Sequence, residues 1–239
     1  CEIYTDVDGV FSADPRIVPA ASRRAVITYE EMLELAAQGA KVLHLRCVEY
    51  ARRFNLPIHV RSSFSLNNGT MVVGSTEGDK MEQPIISGIA FNRDEAKITV
   101  LGVPDKPGIA YQILGPIADA NIDVDMIIQN TGADGTTDFT FTVHKNEMEK
   151  ALGILNQVQK HIGAREISGD DKIAKVSIVG VGMRSHVGIA SKMFRTLSEE
   201  GINILMISTS EIKISVVIDE KYMELAVRAL HKAFELDQK

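Results

Sequence analysis

Two groups of polar residues in this chain have the types and spacing to do chemistry. The first opens the sequence. In YTDVDGVFSADPR, Thr5, Asp6 and Asp8 bring a hydroxyl and two carboxylates to the end of an extended segment, where Gly9 lets the backbone turn close to a ligand. Pro15 and Arg16 then set a guanidinium suited to a phosphate. Such a set at a strand end fits a nucleotide in an α/β sheet; taken alone it also describes a turn with solvated charges. The second group is GVPDKPGIA at 102–110, where a strand runs through a loop into a helix starting near Gly108. Free backbone N–H groups and the positive end of a helix dipole suit a carboxylate, and Asp105 beside them suits an ammonium. A pocket offering both is complementary to a free amino acid. Gln129 and Asn130 end the next strand and can offer amides to a polar ligand side chain. The plainer alternatives are a solvated turn carboxylate for Asp105 and an edge-strand amide for Gln129.

The elements that must hold these groups occur twice. Residues 97–130 realign onto 175–210 with a two-residue insertion in the first loop. Gly102, Val103, Gly108, Ile109 and Ala110 correspond to Gly180, Val181, Gly188, Ile189 and Ala190, and Ile122, Met126 and Ile127 to Ile202, Met206 and Ile207. Matches that fall on strand, loop and helix start together mark a structural repeat. Each copy reads strand (98–103; 176–181), glycine-containing loop, helix (108–120; 188–200), strand (122–129; 202–209), strand (138–143; 212–218) and helix (146–161; 220–235). That is the βαββα part of a ferredoxin-like sandwich, which needs a fourth strand. The first copy is followed by REISGDD at 165–171, but the second ends on its helix. The spare strand is IISGIAF at 85–91, so the two units are expected to be intertwined; the alternative is an open edge or a strand recruited from another chain.

The loops differ. Pro104-Asp105-Lys106-Pro107 is replaced by Gly182-Met183-Arg184-Ser185-His186-Val187, which has no acidic residue, so the second loop is not expected to bind an α-ammonium in the same way. His186 is a candidate pH-sensitive contact against a solvent-facing or packing role. The Met126-Ile127 and Met206-Ile207 pairs read as core.

Upstream of the repeats, 28–54 carries apolar residues at helical spacing broken by Gly39, with Thr28 and Glu31 spaced as a capping box. Short strands follow at 58–64 and 70–75, joined by the Asn67-Asn68-Gly69 turn. Strand, loop, helix, helix, strand reads as the tail of an α/β domain, and a chain opening on Cys1 in mid-strand is expected to be a fragment. The expected domains are 1–75, a polar linker at 76–84, 92–172, and 85–91 with 173–239.

Composition narrows the function classes. With 239 residues, 45% apolar, and a net charge of −6, the chain has room for two or three globular units and no electrostatic reason to seek nucleic acid or an anionic membrane. No apolar run approaches a membrane span and no signal sequence opens the chain, which makes the cytoplasm the default. The two cysteines, Cys1 and Cys47, and six histidines form no metal-ligand or disulfide pattern. Cys47 is read as a small buried residue against a nucleophile.

The paired units, with loops GVPDKPGIA and GVGMRSHVGIA and strands ending IIQN and ISTSE, resemble the paired amino-acid-sensing ACT domains of aspartate kinases. YTDVDGVFSADPR and GAKVLHLR resemble the nucleotide-binding half of that family's amino-acid-kinase domain. The resemblance implies that Thr5 and Asp6 contact the nucleoside and that Phe11 sits near the base, where the family usually has Tyr. It further implies that Arg16 reaches phosphate and that Lys41 with Val42 adds a second contact. It places effector contacts at Asp105, Lys106, Pro107, Gly108, Ile109 and Ala110, around Asp123, Val124 and Asp125, and at Gln129 beside Asn130. In the second unit it points to Ala190, Ser191, Ile204, Leu205 and Glu211. The lysine-containing phosphate loop, the main catalytic residues and most aspartate contacts are expected upstream of this chain, so these residues alone are expected to be inactive. The implied reaction is phosphorylation of aspartate by ATP with Mg²⁺, at the head of lysine, threonine and methionine synthesis. The implied effectors are threonine, lysine or both, bound without a cofactor, in a homodimer or larger oligomer. The alternative is a non-catalytic regulatory subunit partnering a full-length kinase chain.

Overall fold

The computed structural model describes residues 1–74, 85–132 and 134–237, so the expected linker at 76–84 lies outside the described residues. The chain divides into two compact units, Cys1–Asn92 with Lys175–Lys239, and Arg93–Ala174.

In the larger unit the chain begins with β1 (Glu2–Thr5), β2 (Val26–Thr28), α1 (Tyr29–Ala37), α2 (Leu45–Arg53), β3 (Ile58–Ser62), β4 (Thr70–Val73) and β5 (Gly88–Asn92). The first sheet has the order β1-β3-β4-β2. β1 runs parallel to β3 and β2 parallel to β4, and β3 and β4 are antiparallel across their turn. The three-residue β2 escapes a reading by periodicity because it runs straight into α1. Helix α1 starts where Thr28 Oγ1 accepts from Glu31 N–H at 3.2 Å and the Glu31 carboxylate accepts from Thr28 N–H at 3.1 Å, a capping box. It ends before Gly39, whose φ of +106° redirects the chain.

The smaller unit contains β6 (Glu95–Pro104), α3 (Ile109–Asp119), β7 (Val124–Thr131), β8 (Thr136–His144), α4 (Met148–Ile162) and β9 (Glu166–Asp170). Its sheet order is β7-β8-β6-β9. Ile98 and Val100 on β6 and Phe139 and Phe141 on β8 recur at every second position, and all face Ile113, Ile117, Ala151 and Leu155 of the two helices in one core.

The chain then returns to the larger unit through β10 (Ile173–Val179), followed by α5 (Ile189–Glu199), β11 (Met206–Thr209), β12 (Lys213–Asp219) and α6 (Met223–Ala233). This second ferredoxin-like sheet has the order β11-β12-β10-β5. Its fourth strand is β5, antiparallel to β10 with Phe91 opposite Val176 and Ile89 opposite Ile178, so the two repeats are intertwined. The strand expected at 202–209 is shorter, because 202–205 approach β12 as irregular chain before the ladder begins at Met206.

The two repeats differ in burial. Every residue of β10 is buried, whereas β6 alternates along much of its length. The cause lies in the core of the amino-terminal segment. Val10, Met32, Leu35, Leu43, Val48, Val60 and Val72 pack in one cluster with Ala90 of β5 and Val179 of β10. The second sheet is therefore covered on both faces, and a strand buried on both faces reads as a near-continuous apolar run.

Candidate functional site

The amino-terminal residues singled out above gather around the end of β1. Thr5 closes that strand and its hydroxyl donates to Asp6 Oδ1 at 3.1 Å. Arg16 lies close enough to Asp6 for that carboxylate to favour its charged form. The nearer partner is one the motif reading missed: Asp14 accepts from Arg16 Nη2 at 2.7 Å, Nε at 3.0 Å and the backbone N–H at 2.9 Å. The Asp14 carboxyl is held below its usual range by these bonds, Arg16 first. The Arg16 side chain is 88% exposed, so its outer face remains open to an anionic ligand. Phe11 is half-buried and forms an isolated antiparallel bridge with Arg23. Lys41 is exposed and Val42 packs against the core in the connection between α1 and α2. Asp8, by contrast, is tied inward: Ser65 Oγ and Asn67 Nδ2 donate to its carboxylate and lower its pKa, Ser65 most. Burial pushes the Cys47 thiol up, away from thiolate character, so it is no activated nucleophile.

In the smaller unit, Asp105, Lys106, Pro107 and Gly108 are exposed between β6 and α3. Gly108 is the N-cap in a left-handed conformation, φ 90°, and makes no side-chain cap. The first-turn N–H groups of Ala110 and Tyr111 are thus left without the usual cap oxygen, while Ile109 is buried and anchors the turn. On the same turn, Gln112 Oε1 is buried without a hydrogen-bond partner among the described residues. β6 pairs Pro104 with Thr136, and β7 pairs Thr131 with Thr137, so Gln129 and Asn130 lie toward the same end of the sheet as the Asp105 loop. Asp123, Val124 and Asp125 do not. They sit where β7 begins, opposite Val143, and Asp123 and Gln129 are ~20 Å apart at the rise of a strand.

The second loop is built differently. Val181–Ser185 form a 3-10 turn, and the Val181 N–H donates to the buried carboxylate of Glu31 at 3.0 Å. Arg184 bridges Glu30 and Glu211, each at 3.1 Å, and Lys213 meets Glu34 at 3.0 Å. His186 is exposed and its Nδ1 lies 2.8 Å from the Gly182 carbonyl, a contact within the loop. The loop equivalent to the exposed first one is therefore fastened to α1. Ala190 and Ser191 open α5, and Ile204 and Leu205 lead into β11; Glu211 lies beyond the other end of that strand.

Further polar contacts join α6 to the amino-terminal loop. His231, 2% exposed, has Nε2 2.9 Å from Ser12 Oγ, and Ser22 Oγ donates to the Leu236 carbonyl at 2.6 Å. Burial lowers the His231 pKa, Arg24 lowers it further, and Asp237 opposes them. A folded pKa below the unfolded value of ~6.5 means that the unfolded chain takes up this proton first, so stability is lost as pH falls below that value. Differential scanning calorimetry from pH 7.5 to 5 is expected to show a smaller fall in melting temperature for His231→Gln than for the parent chain.

Two ACT domains together with part of an amino-acid-kinase sheet are the class that this fold defines. ACT domain profiles match residues 97–159 and 176–234, and the amino acid kinase family profile matches residues 1–62. The aspartokinase of Pseudomonas aeruginosa is 65% identical over 237 residues, 99% of this chain and 58% of its own length. A crystal structure of aspartokinase alpha and beta subunits is 67% identical, with 63% of this chain covering 99% of that one, at a TM-score of 0.60. The aspartate kinase of Clostridium acetobutylicum is 27% identical with a TM-score of 0.88, over 98% of this chain and 54% of that one. The chain belongs to the aspartokinase family. It spans a little over half the length of the curated relatives it matches, 58% for the Pseudomonas aeruginosa protein. Among the described residues, no helix is long and apolar enough to cross a membrane.

Proposed function

We propose that this chain is the feedback-sensing portion of an enzyme that transfers the γ-phosphoryl group of ATP to the side-chain carboxylate of aspartate, the entry to lysine, threonine and methionine synthesis. The observation that carries the regulatory part is the contrast between the two loops. Both helix starts lack a side-chain cap, but the first has a carboxylate and a buried, unpartnered amide oxygen beside it, whereas the second loop is tied at Val181 and Arg184 to Glu31 and Glu30. In the first, the N–H groups of Ala110 and Tyr111 bind the effector carboxylate, Asp105 its ammonium, and Gln129 with Asn130 its side chain. Threonine and lysine are the proposed effectors, with a coupling to the kinase site of ~1–3 kcal/mol.

Oligomerisation completes this pocket. β7 is an edge strand carrying the half-exposed Ile127. Antiparallel pairing of β7 with its copy brings the start of one strand beside the end of the other. Asp123–Asp125 of a second chain then come beside Gln129. The same pairing at β11 supports a second set at Ala190, Ser191, Ile204, Leu205 and Glu211. The proposed assembly is a homodimer or larger oligomer, and the proposed compartment is the cytoplasm.

Thr5, Asp6, Phe11, Arg16, Lys41 and Val42 are proposed to hold ATP, with the Arg16 guanidinium on a phosphate oxygen and the Phe11 ring, half-buried, toward the base. Among the described residues, no group of three or more His, Cys, Asp or Glu could hold a metal ion, and Mg²⁺ would be held chiefly by the phosphates of ATP. The match to an aspartokinase subunit structure over 99% of that chain favours a second reading, a non-catalytic subunit beside a full-length chain. Phosphorylation of aspartate by the isolated 239 residues would contradict both.

Calorimetric titration with threonine, with lysine, and with each in the presence of the other tests the sensor. Saturable binding is expected with at least one, weakened roughly a hundredfold by Asp105→Ala, which removes a charge-assisted bond. Absence of heat with both amino acids, or equal affinity in the variant, contradicts the assignment.

A further inference from the structure

The loop from Gly9 to Arg24 carries two of the proposed nucleotide contacts, Phe11 and Arg16, yet its base is held from outside the amino-terminal sheet. Ser12 is fully buried and every polar atom it has is engaged. Its N–H donates to the Ser22 carbonyl at 2.9 Å, and its Oγ accepts from Ser22 N–H at 2.9 Å. These close the loop on itself, together with Arg24 N–H to the Val10 carbonyl at 2.8 Å. The remaining bonds lead away. The Ser12 carbonyl accepts from Ile89 N–H of β5 at 2.8 Å, and Oγ meets His231 Nε2 of α6 at 2.9 Å. Both partners belong to the second ACT sandwich, and Ser22 Oγ adds the bond to Leu236 just beyond α6.

We propose that the last helix of the second ACT domain positions the nucleotide loop, with Ser12 and His231 as positioning residues for Phe11 and Arg16. The proposal rests on the assignment of this loop to nucleotide binding. Ser12 adjoins Phe11, whose backbone bridges Arg23, so fixing Ser12 fixes the stretch of chain from which the half-buried Phe11 ring projects. The segment from Ala13 to Ala21 that carries Arg16 springs from the clasped pair Ser12 and Ser22, so its origin is tied to α6 and β5 as well as, through Val10 and Arg24, to Thr70 of β4. Arg24 and Asp237 are the charged groups whose fields reach His231, one on the loop and one on the tail. A shift of α6 thus reaches Phe11 and Arg16 through a buried contact, without passing through the solvent-exposed ion pairs of the second loop.

The test uses His231→Leu, Ser12→Ala and the conservative His231→Gln, which retains a polar partner for Ser12. Hydrogen exchange of this chain is read over peptides from 9–24, with α3 as an internal reference. KM for ATP and for aspartate is read separately in the kinase that also carries the upstream region present in the relatives, with Arg16→Ala as comparator. Loss of the buried bond is expected to raise loop exchange and KM for ATP roughly tenfold in the Leu and Ala variants, with KM for aspartate unchanged. His231→Gln is expected to restore most of both. Loop exchange that stays at the parent rate, or both KM values rising together, overturns the proposal. An unchanged KM for ATP in Arg16→Ala overturns the nucleotide reading itself, and the proposal with it.

Discussion

Replacing Glu31 by Ala is expected to cost about 3–5 kcal/mol, a fall in melting temperature of roughly 6–20 °C. The Glu31 carboxylate is 4% exposed and accepts from Thr28 N–H at 3.1 Å, Thr28 Oγ1 at 2.8 Å, Ser87 Oγ, and Val181 N–H at 3.0 Å. These donors belong to the start of α1, the approach to β5 and the second loop. Removing their common acceptor leaves several of them dry and unpaired, which costs more than the bonds themselves contributed. Arg24 adds to the effect. It donates to the Ser87 carbonyl at 2.7 Å, burial disfavours its charge, and Glu31 is the opposing charge that sustains it. Calorimetric unfolding of Glu31→Ala beside Thr28→Ala checks this, since the cap alone is worth about 1 kcal/mol. Equal losses in the two variants would show that Glu31 acts only as a capping residue.

Gly39→Ala is expected to destabilise by about 2–4 kcal/mol. A φ of +106° is strained for any L side chain, and a Cβ built there meets the Phe91 carbonyl oxygen at 2.3 Å. That oxygen is backbone of β5 and cannot rotate aside, so either α1 or the strand must shift. Gln38, the preceding residue, accepts from Ser177 Oγ of β10 at 3.1 Å, and the shift would strain that bond too. Gly153 supplies the control: it lies inside α4 with nothing within 4 Å of its would-be Cβ, and Gly153→Ala is expected to stabilise by about 0.5–1 kcal/mol. Urea midpoints of the two variants should move in opposite directions.

Much of this fold could be read from the letters because local chemistry and periodicity agree. Thr28 and Glu31 announce α1, the glycines at 108 and 188 sit where each repeat needs a left-handed cap, and counting strands leaves 85–91 over for the second sheet. What escaped the reading depends on contacts between distant residues. β2 is three residues long and has no period to detect. The fastening of the second loop joins Arg184 to Glu30 and Val181 to Glu31, about 150 positions apart, and the Ser12 to His231 contact spans 219. A pair at such separation leaves no spacing pattern in one sequence. Among the site residues, Asp14 was the legible omission, since DPR places a carboxylate two residues before the guanidinium it holds. The distance between Asp123–Asp125 and the Asp105 loop was not legible either, since spacing along the chain does not show that one chain holds them at opposite ends of β7.

The most direct test is hydrogen exchange of this chain with saturating threonine or lysine, followed at both loops together. Slowed exchange at 105–112 and 123–130, with 181–187 unchanged because its bonds to Glu30, Glu31 and Glu211 are made without ligand, is the expected result for a first loop that senses and a second that fastens. Slowed exchange confined to 181–187, with the first loop as open as before, would contradict it.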